Sequence, residues 1–133
     1  MSGCYAGRFI VCGLLEKEWI MSLDNAIMNN YAFLLEMYED SYFPEELVRK
    51  GEDILRELCL QIEQQKPQNL EQLYRLSHAA TERFNDLQQE FEEQGSELET
   101  AARECIAADF EAIAKAYGFE DADVEELIAL REW

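Results

Sequence analysis

The run "NLEQLYRLSHAATERFNDLQQEF", residues 69–91, limits the fold more than any other part of the chain. Leu73, Ser77, Ala80, Phe84, Leu87 and Phe91 recur at spacings of three and four. That spacing gathers them on one face of an α-helix and would scatter them over both faces of a strand. A helix with such a stripe must bury it against another layer. No β-alternation of useful length occurs elsewhere in the sequence, so the covering layer has to be helical.

The neighbouring segments carry matching stripes. Ile27, Tyr31, Leu34, Leu35 and Tyr38 predict a first helix from about Asp24 to Glu39. Pro44, with Glu45 and Glu46 behind it, opens a second that runs to about Lys66 before Pro67 ends it. Its stripe is Leu47, Ile54, Leu55, Leu58 and Ile62, and Gly51 inside it predicts either a close helix crossing or a local weakness. Asn69 and Gln72 form a capping box for the third helix. In "QGSELE", Gly95 stops that helix, and Ser96 with Glu99 starts a fourth. The fourth buries Leu98, Ala102, Cys105, Ile106, Phe110, Ile113 and Tyr117, and Gly118 closes it. A short fifth helix, about Asp123 to Arg131, is capped by Asp123 with Glu126. The expected fold is all-α, a helical bundle of four main helices plus a short C-terminal helix.

At 133 residues the chain is the size of one domain, and its longest apolar run falls far short of the roughly 20 residues that cross a bilayer. Charge is the outlier: 29 acidic residues against 11 basic give −18. Such a field repels phosphate backbones and anionic lipid, so nucleic-acid and membrane partners are not expected, and basic proteins are favoured. Cys4, Cys12, Cys59 and Cys105 form no CxxC pair and fit a reducing cytoplasm better than a disulfide scaffold.

The first twenty residues stand apart. Gly3, Gly7 and Gly13 oppose a helix, and no cleavage-site pattern supports a secretory signal. Glu16-Lys17-Glu18 is necessarily encoded by purines alone, just ahead of the methionine codon of Met21. In a bacterium this reads as a ribosome-binding site for a start at Met21; the other reading is an ordinary charged tripeptide. The first reading makes residues 1–20 a non-native leader or disordered extension, with 21–133 a single helical-bundle domain. Arg8 and Lys17 balance Glu16 and Glu18, so the net charge belongs to the remainder.

Catalytic signatures are weak. His78, the single histidine, has Tyr74 one turn before it and Glu82 one turn after, a conceivable polar or cation site. The plainer expectation is a boundary histidine bonded to a neighbouring carboxylate. One histidine cannot furnish the paired ExxH motifs of a di-iron bundle. "EDADVEELIALRE" imitates a calcium loop, but its sixth position is Glu126 where glycine is needed, and "ELIAL" is helical. Ser77 and His78 are adjacent and so point about 100° apart on a helix. No phosphate loop or dinucleotide fingerprint is present. No catalytic residue, metal ligand or cofactor is therefore assigned.

Two surface features point to protein binding. Around the corner "FNDLQQEFEEQGSELE", Asp86, Glu90 and Glu93 stand among other acids, a solvated face or a docking surface for a basic partner. "MYEDSYFPEEL" groups Tyr38, Asp40, Tyr42 and Phe43, either a core staple or an anchor with an acidic rim.

The segments "MYEDSYFP" and "ATERFNDLQ", within about residues 29–133, resemble a bacterial family of small acidic helical proteins known as a domain of unknown function. The resemblance implies a bacterial, cytosolic protein that begins near Met21, and carries over no activity. The combined expectation is a non-enzymatic cytosolic protein-binding module, with a homodimer among the options. The alternatives are an immunity or inhibitor protein whose acidic face blocks a basic toxin or nuclease, and an enzyme or cation site around His78.

Overall fold

The structure, a computed structural model, describes residues 23–133, so the expectation about residues 1–20 lies outside it. Six helices follow one another among the described residues: α1 (Ala26–Asn29), α2 (Leu35–Glu39), α3 (Glu45–Gln65), α4 (Leu70–Glu93), α5 (Thr100–Ala116) and α6 (Val124–Leu127). Three are long, where the sequence had suggested four.

α3 and α4 form an antiparallel hairpin, and theirs is the most extensive helix contact in the fold. At its turn, Lys66 adopts the left-handed conformation and its N–H returns to the Ile62 carbonyl at 2.9 Å. Asn69 then caps α4 by accepting the Gln72 N–H at 2.9 Å, while the Gln72 side chain accepts the Gln68 N–H. All six residues of the predicted α4 stripe are buried. Gly51 marks a close crossing: a Cβ there would lie 2.9 Å from Leu34 Cδ1 and 3.2 Å from Phe84 Cε1. α5 lies against α3 and the N-terminal helices, bringing the Phe110 ring to 6.0 Å from Phe84. Gly95 and Gly118 have φ of +84° and +92°, each just past the end of a helix, as a left-handed cap requires.

Three expectations are corrected. The predicted first helix is two short ones, because Leu34 turns left-handed at φ 55°. Asp109 on α5 holds that turn by accepting the Leu34 N–H at 2.7 Å and the Tyr31 hydroxyl at 2.8 Å. The break also rotates the stripe: Ile27 and Leu35 are 64% and 51% exposed, while Met28, Phe33 and Met37 go inside. Secondly, Ser96 does not cap the fourth helix. That helix begins at Thr100 with no side-chain cap, and the Ser96 hydroxyl is buried without a partner. Finally, the C-terminal helix stops at Leu127 rather than near Arg131, although Asp123 caps it as expected by accepting the Glu125 N–H.

Candidate functional site

The aromatic corner is built by a turn. Asp40 accepts the Tyr42 N–H through Oδ1 at 2.9 Å and the Phe43 N–H through its backbone carbonyl at 3.1 Å. Successive side chains therefore part: Phe43 is buried edge-on to Phe91 at 6.2 Å, and Tyr42 points outward, 48% exposed. The Tyr42 ring rests against Phe43 at 5.0 Å, which limits its freedom without hiding it. Pro44 launches α3 with Glu45 and Glu46 in the first turn, where the helix dipole favours acids. Asp40, Glu45 and Glu46 are all exposed, so Tyr42 has an acidic rim.

Two groups far apart in sequence are brought toward one another here. The Phe43–Phe91 contact and a 2.6 Å ion pair between Lys50 and Glu90 bring the acidic end of α4 beside the corner. Asp86 and Glu93 are exposed on that end, and Glu90, partly exposed, is tied up by Lys50. Tyr38 has a different role. It is half-buried, its hydroxyl donates to Glu52 at 2.6 Å, and Glu52 also pairs with Arg56 at 2.9 Å. Burial, reinforced by that carboxylate, pushes the Tyr38 phenol well above its usual range. Arg56 in turn stacks over Phe33 at 5.1 Å, so this chain of contacts fixes the N-terminal segment to α3.

The histidine site is a fastening. His78 Nε2 lies 2.7 Å from the Glu126 carbonyl oxygen. Since that oxygen can only accept, Nε2 carries a proton. The imidazole stacks on Tyr74 at 6.3 Å, and the Tyr74 hydroxyl accepts the Asp123 N–H at 3.0 Å. Glu82 is exposed, and the imidazole's bond goes to a backbone carbonyl rather than to a carboxylate. Further along α4, the Thr81 hydroxyl is shared between the Ser77 and Leu127 carbonyls at 2.8 and 3.2 Å. Asn85 then donates to the Leu130 carbonyl at 3.0 Å and accepts the Glu132 N–H at 2.9 Å. Tyr74, His78, Thr81 and Asn85 thus form one column that holds residues 123–132 against α4. At its end Trp133 is buried edge-on to Phe84 at 6.0 Å, with its indole N–H unpaired.

Two internal acid sites, one buried and one half-buried, carry no motif that the sequence singled out. Asp109 is 5% exposed, and its carboxyl pKa is raised because burial outweighs the hydrogen bonds from Leu34 and Tyr31. Its signal was its register: Cys105, Asp109 and Ile113 follow one another at intervals of four on the buried stripe. Glu63 accepts the Asp24 and Asn25 N–H groups, each at 3.0 Å, and the Tyr117 hydroxyl at 2.5 Å. Partial burial works against its ionisation, but those three donors together hold its pKa below the ordinary value. The thiols of Cys59 and Cys105 are free and buried, and burial pushes them up to about 12 and about 11. Thiols so placed are poor nucleophiles near neutrality.

Among the described residues, no three His, Cys, Asp or Glu side chains are arranged to hold a metal ion, and no helix is long and apolar enough to cross a membrane. No curated protein and no solved structure matches the chain. One family model does match, over residues 27–133, which takes in all but the first residue of α1, the aromatic corner, the α4 column and Trp133. The chain belongs to this family, described as "Family of unknown function (DUF5713)".

Proposed function

We propose that this protein acts by binding another protein, a basic one, through the acidic corner around Tyr42. The observation that carries this reading is an aromatic ring held half-exposed by its own turn beside exposed Asp40, Glu45 and Glu46, with the acidic end of α4 linked to the same corner through the Phe43–Phe91 contact and the Lys50–Glu90 pair. A rigid aromatic anchor supplies apolar contact at low entropic cost and can stack on an arginine or lysine of the partner. The acidic rim accelerates encounter with a cationic surface. Tyr38 and Phe43 take no direct part, since both are engaged within the fold. The protein works in the cytoplasm on this reading, which suits buried free thiols. If the covered surface is the working face of a basic toxin or nuclease, the same corner serves as an inhibitor, and the charge of −18 favours such a partner.

The test is capture from the native host with the full chain as bait, beside Tyr42→Ala and a Glu90→Lys/Glu93→Lys double variant. The expected result is a basic protein retained by the wild type, lost from both variants and released as salt is raised from about 0.1 to about 0.5 M. Retention that is indifferent to both variants would overturn the assignment.

A further inference from the structure

A groove of about 330 Å³ runs between α3 and α4, away from the Tyr42 corner. Leu58, Leu76 and Ala80 give it an apolar lining, and Ala79 lies exposed at its edge. Glu57 on the α3 side and Arg83 on the α4 side make its charged walls. On a chain of net −18 this strip is locally neutral, its other polar lining being Gln61 and Gln65. Local neutrality is what a face needs before two strongly acidic copies can meet there.

The two charges are also unspent. Glu57 accepts a hydrogen bond from Gln61 at 3.0 Å and makes no ion pair, and Arg83 makes none among the described residues. An acid on one wall and a base on the other are complementary to the same pair turned through a two-fold axis. One rotation therefore satisfies both, twice over. Ala79 at the edge allows the helices of two copies to approach closely. α3 and α4, at 21 and 24 residues, offer a face roughly 30 Å long and about 20 Å wide, about 600 Å² per partner and so at the lower end of the range for specific interfaces.

We propose that the α3–α4 groove is a self-association face, covered in solution by the same groove of a second copy, with Glu57 of each copy paired to Arg83 of the other. Because the groove uses α4 at residues 76–83 and the acidic corner uses 86–93, the dimer would present two Tyr42 corners.

Sedimentation equilibrium on the full chain, up to about 100 µM in about 0.15 M salt, tests this. The wild type should dimerise. Arg83→Glu and Glu57→Arg should each raise the dissociation constant about tenfold or more, since each sets two like-charge contacts against the dyad. The double variant should return to within about threefold of the wild type. Ala79→Glu, at an exposed position, should be monomeric with an unchanged far-UV spectrum and melting temperature. A wild type that stays monomeric at the highest concentration would overturn the proposal. So would a dimer that ignores all four variants, or a charge-reversed double variant as weak as the singles. An apolar dye bound by a monomeric wild type and lost in Ala79→Glu would reassign the groove to a small ligand or another protein.

Discussion

Asp109 offers the sharpest test of how the N-terminal part of the fold is held. Replacing it by alanine strands two donors, the Leu34 N–H and the Tyr31 hydroxyl, which the carboxylate now accepts at 2.7 and 2.8 Å. Each stranded donor costs about 1–3 kcal/mol, while the backbone strain of the left-handed Leu34 is common to both proteins and cancels. The expected loss is about 3–5 kcal/mol, a fall in melting temperature on the order of 10 °C for a chain of this size. Asparagine should behave otherwise. It keeps the shape, its carbonyl oxygen can accept the Leu34 N–H, and the Tyr31 hydroxyl can turn to accept from the amide. The cost at neutral pH should stay within about 1 kcal/mol.

The pH dependence separates charge from shape. The carboxyl pKa of Asp109 is raised in the folded state, with burial the main cause. A raised pKa means that the folded protein holds this proton more tightly than the unfolded chain does. The corresponding stability is complete below the unfolded value, about 3.9, and is lost as pH rises through the folded value. The wild type should therefore lose stability relative to Asp109→Asn as pH rises from about 4 towards 7. Urea unfolding followed by circular dichroism at several pH values would measure both effects. An Asp109→Ala variant within about 0.5 kcal/mol of the wild type, or an Asn difference that does not move with pH, would refute the reasoning.

Gly51→Ala should lose about 1 kcal/mol in urea unfolding, since the new Cβ meets Leu34 at 2.9 Å and Phe84 at 3.2 Å and crowding exceeds the gain in helix propensity. Gly51→Val should lose more than twice as much. Trp133→Phe should cost less than about 1 kcal/mol by thermal melting, because it keeps the ring against Phe84 and removes an unpaired indole N–H, whereas Trp133→Ala should cost about 3–5 kcal/mol. His78→Ala removes the bond to the Glu126 carbonyl, and hydrogen exchange at residues 124–131 should quicken about tenfold while α3 is unaffected.

The helices that could be read from sequence are those whose local signals agree. In α4 the Asn69 cap, the stripe from Leu73 to Phe91 and the stop at Gly95 all point the same way, and each residue of the stripe is buried. Residues 24–39 misled because periodicity assumes an unbroken helix. The break at Leu34 depends on a carboxylate from another helix, which no local window contains. "QGSELE" misled for a related reason: Ser96 has the right spacing from Glu99 to form a cap, but the chain folds Ser96 into the interior. For the candidate site, the sequence supplied both acidic groups and the trio Tyr38, Tyr42 and Phe43, without distinguishing which of the three is exposed. It could not show that the Phe43–Phe91 contact joins them, or that Glu52 and Lys50 already engage Tyr38 and Glu90. Glu82, named beside His78 from helical spacing, has no part in the fastening of the C-terminal segment, whereas Thr81 and Asn85 do.

The reach from Leu34 to Asp109 also imposes an order in time. The α3–α4 hairpin needs only its own four-residue turn, residues 66–69, and can pair as soon as both helices have left the ribosome. The left turn at Leu34 has to wait for a side chain 75 residues downstream. The part of this segment made first is therefore among the last to take its final shape. Until α5 arrives, Met28, Phe33 and Met37 have no completed interior to enter, and for that interval the newborn chain offers them to whatever stands near the exit tunnel.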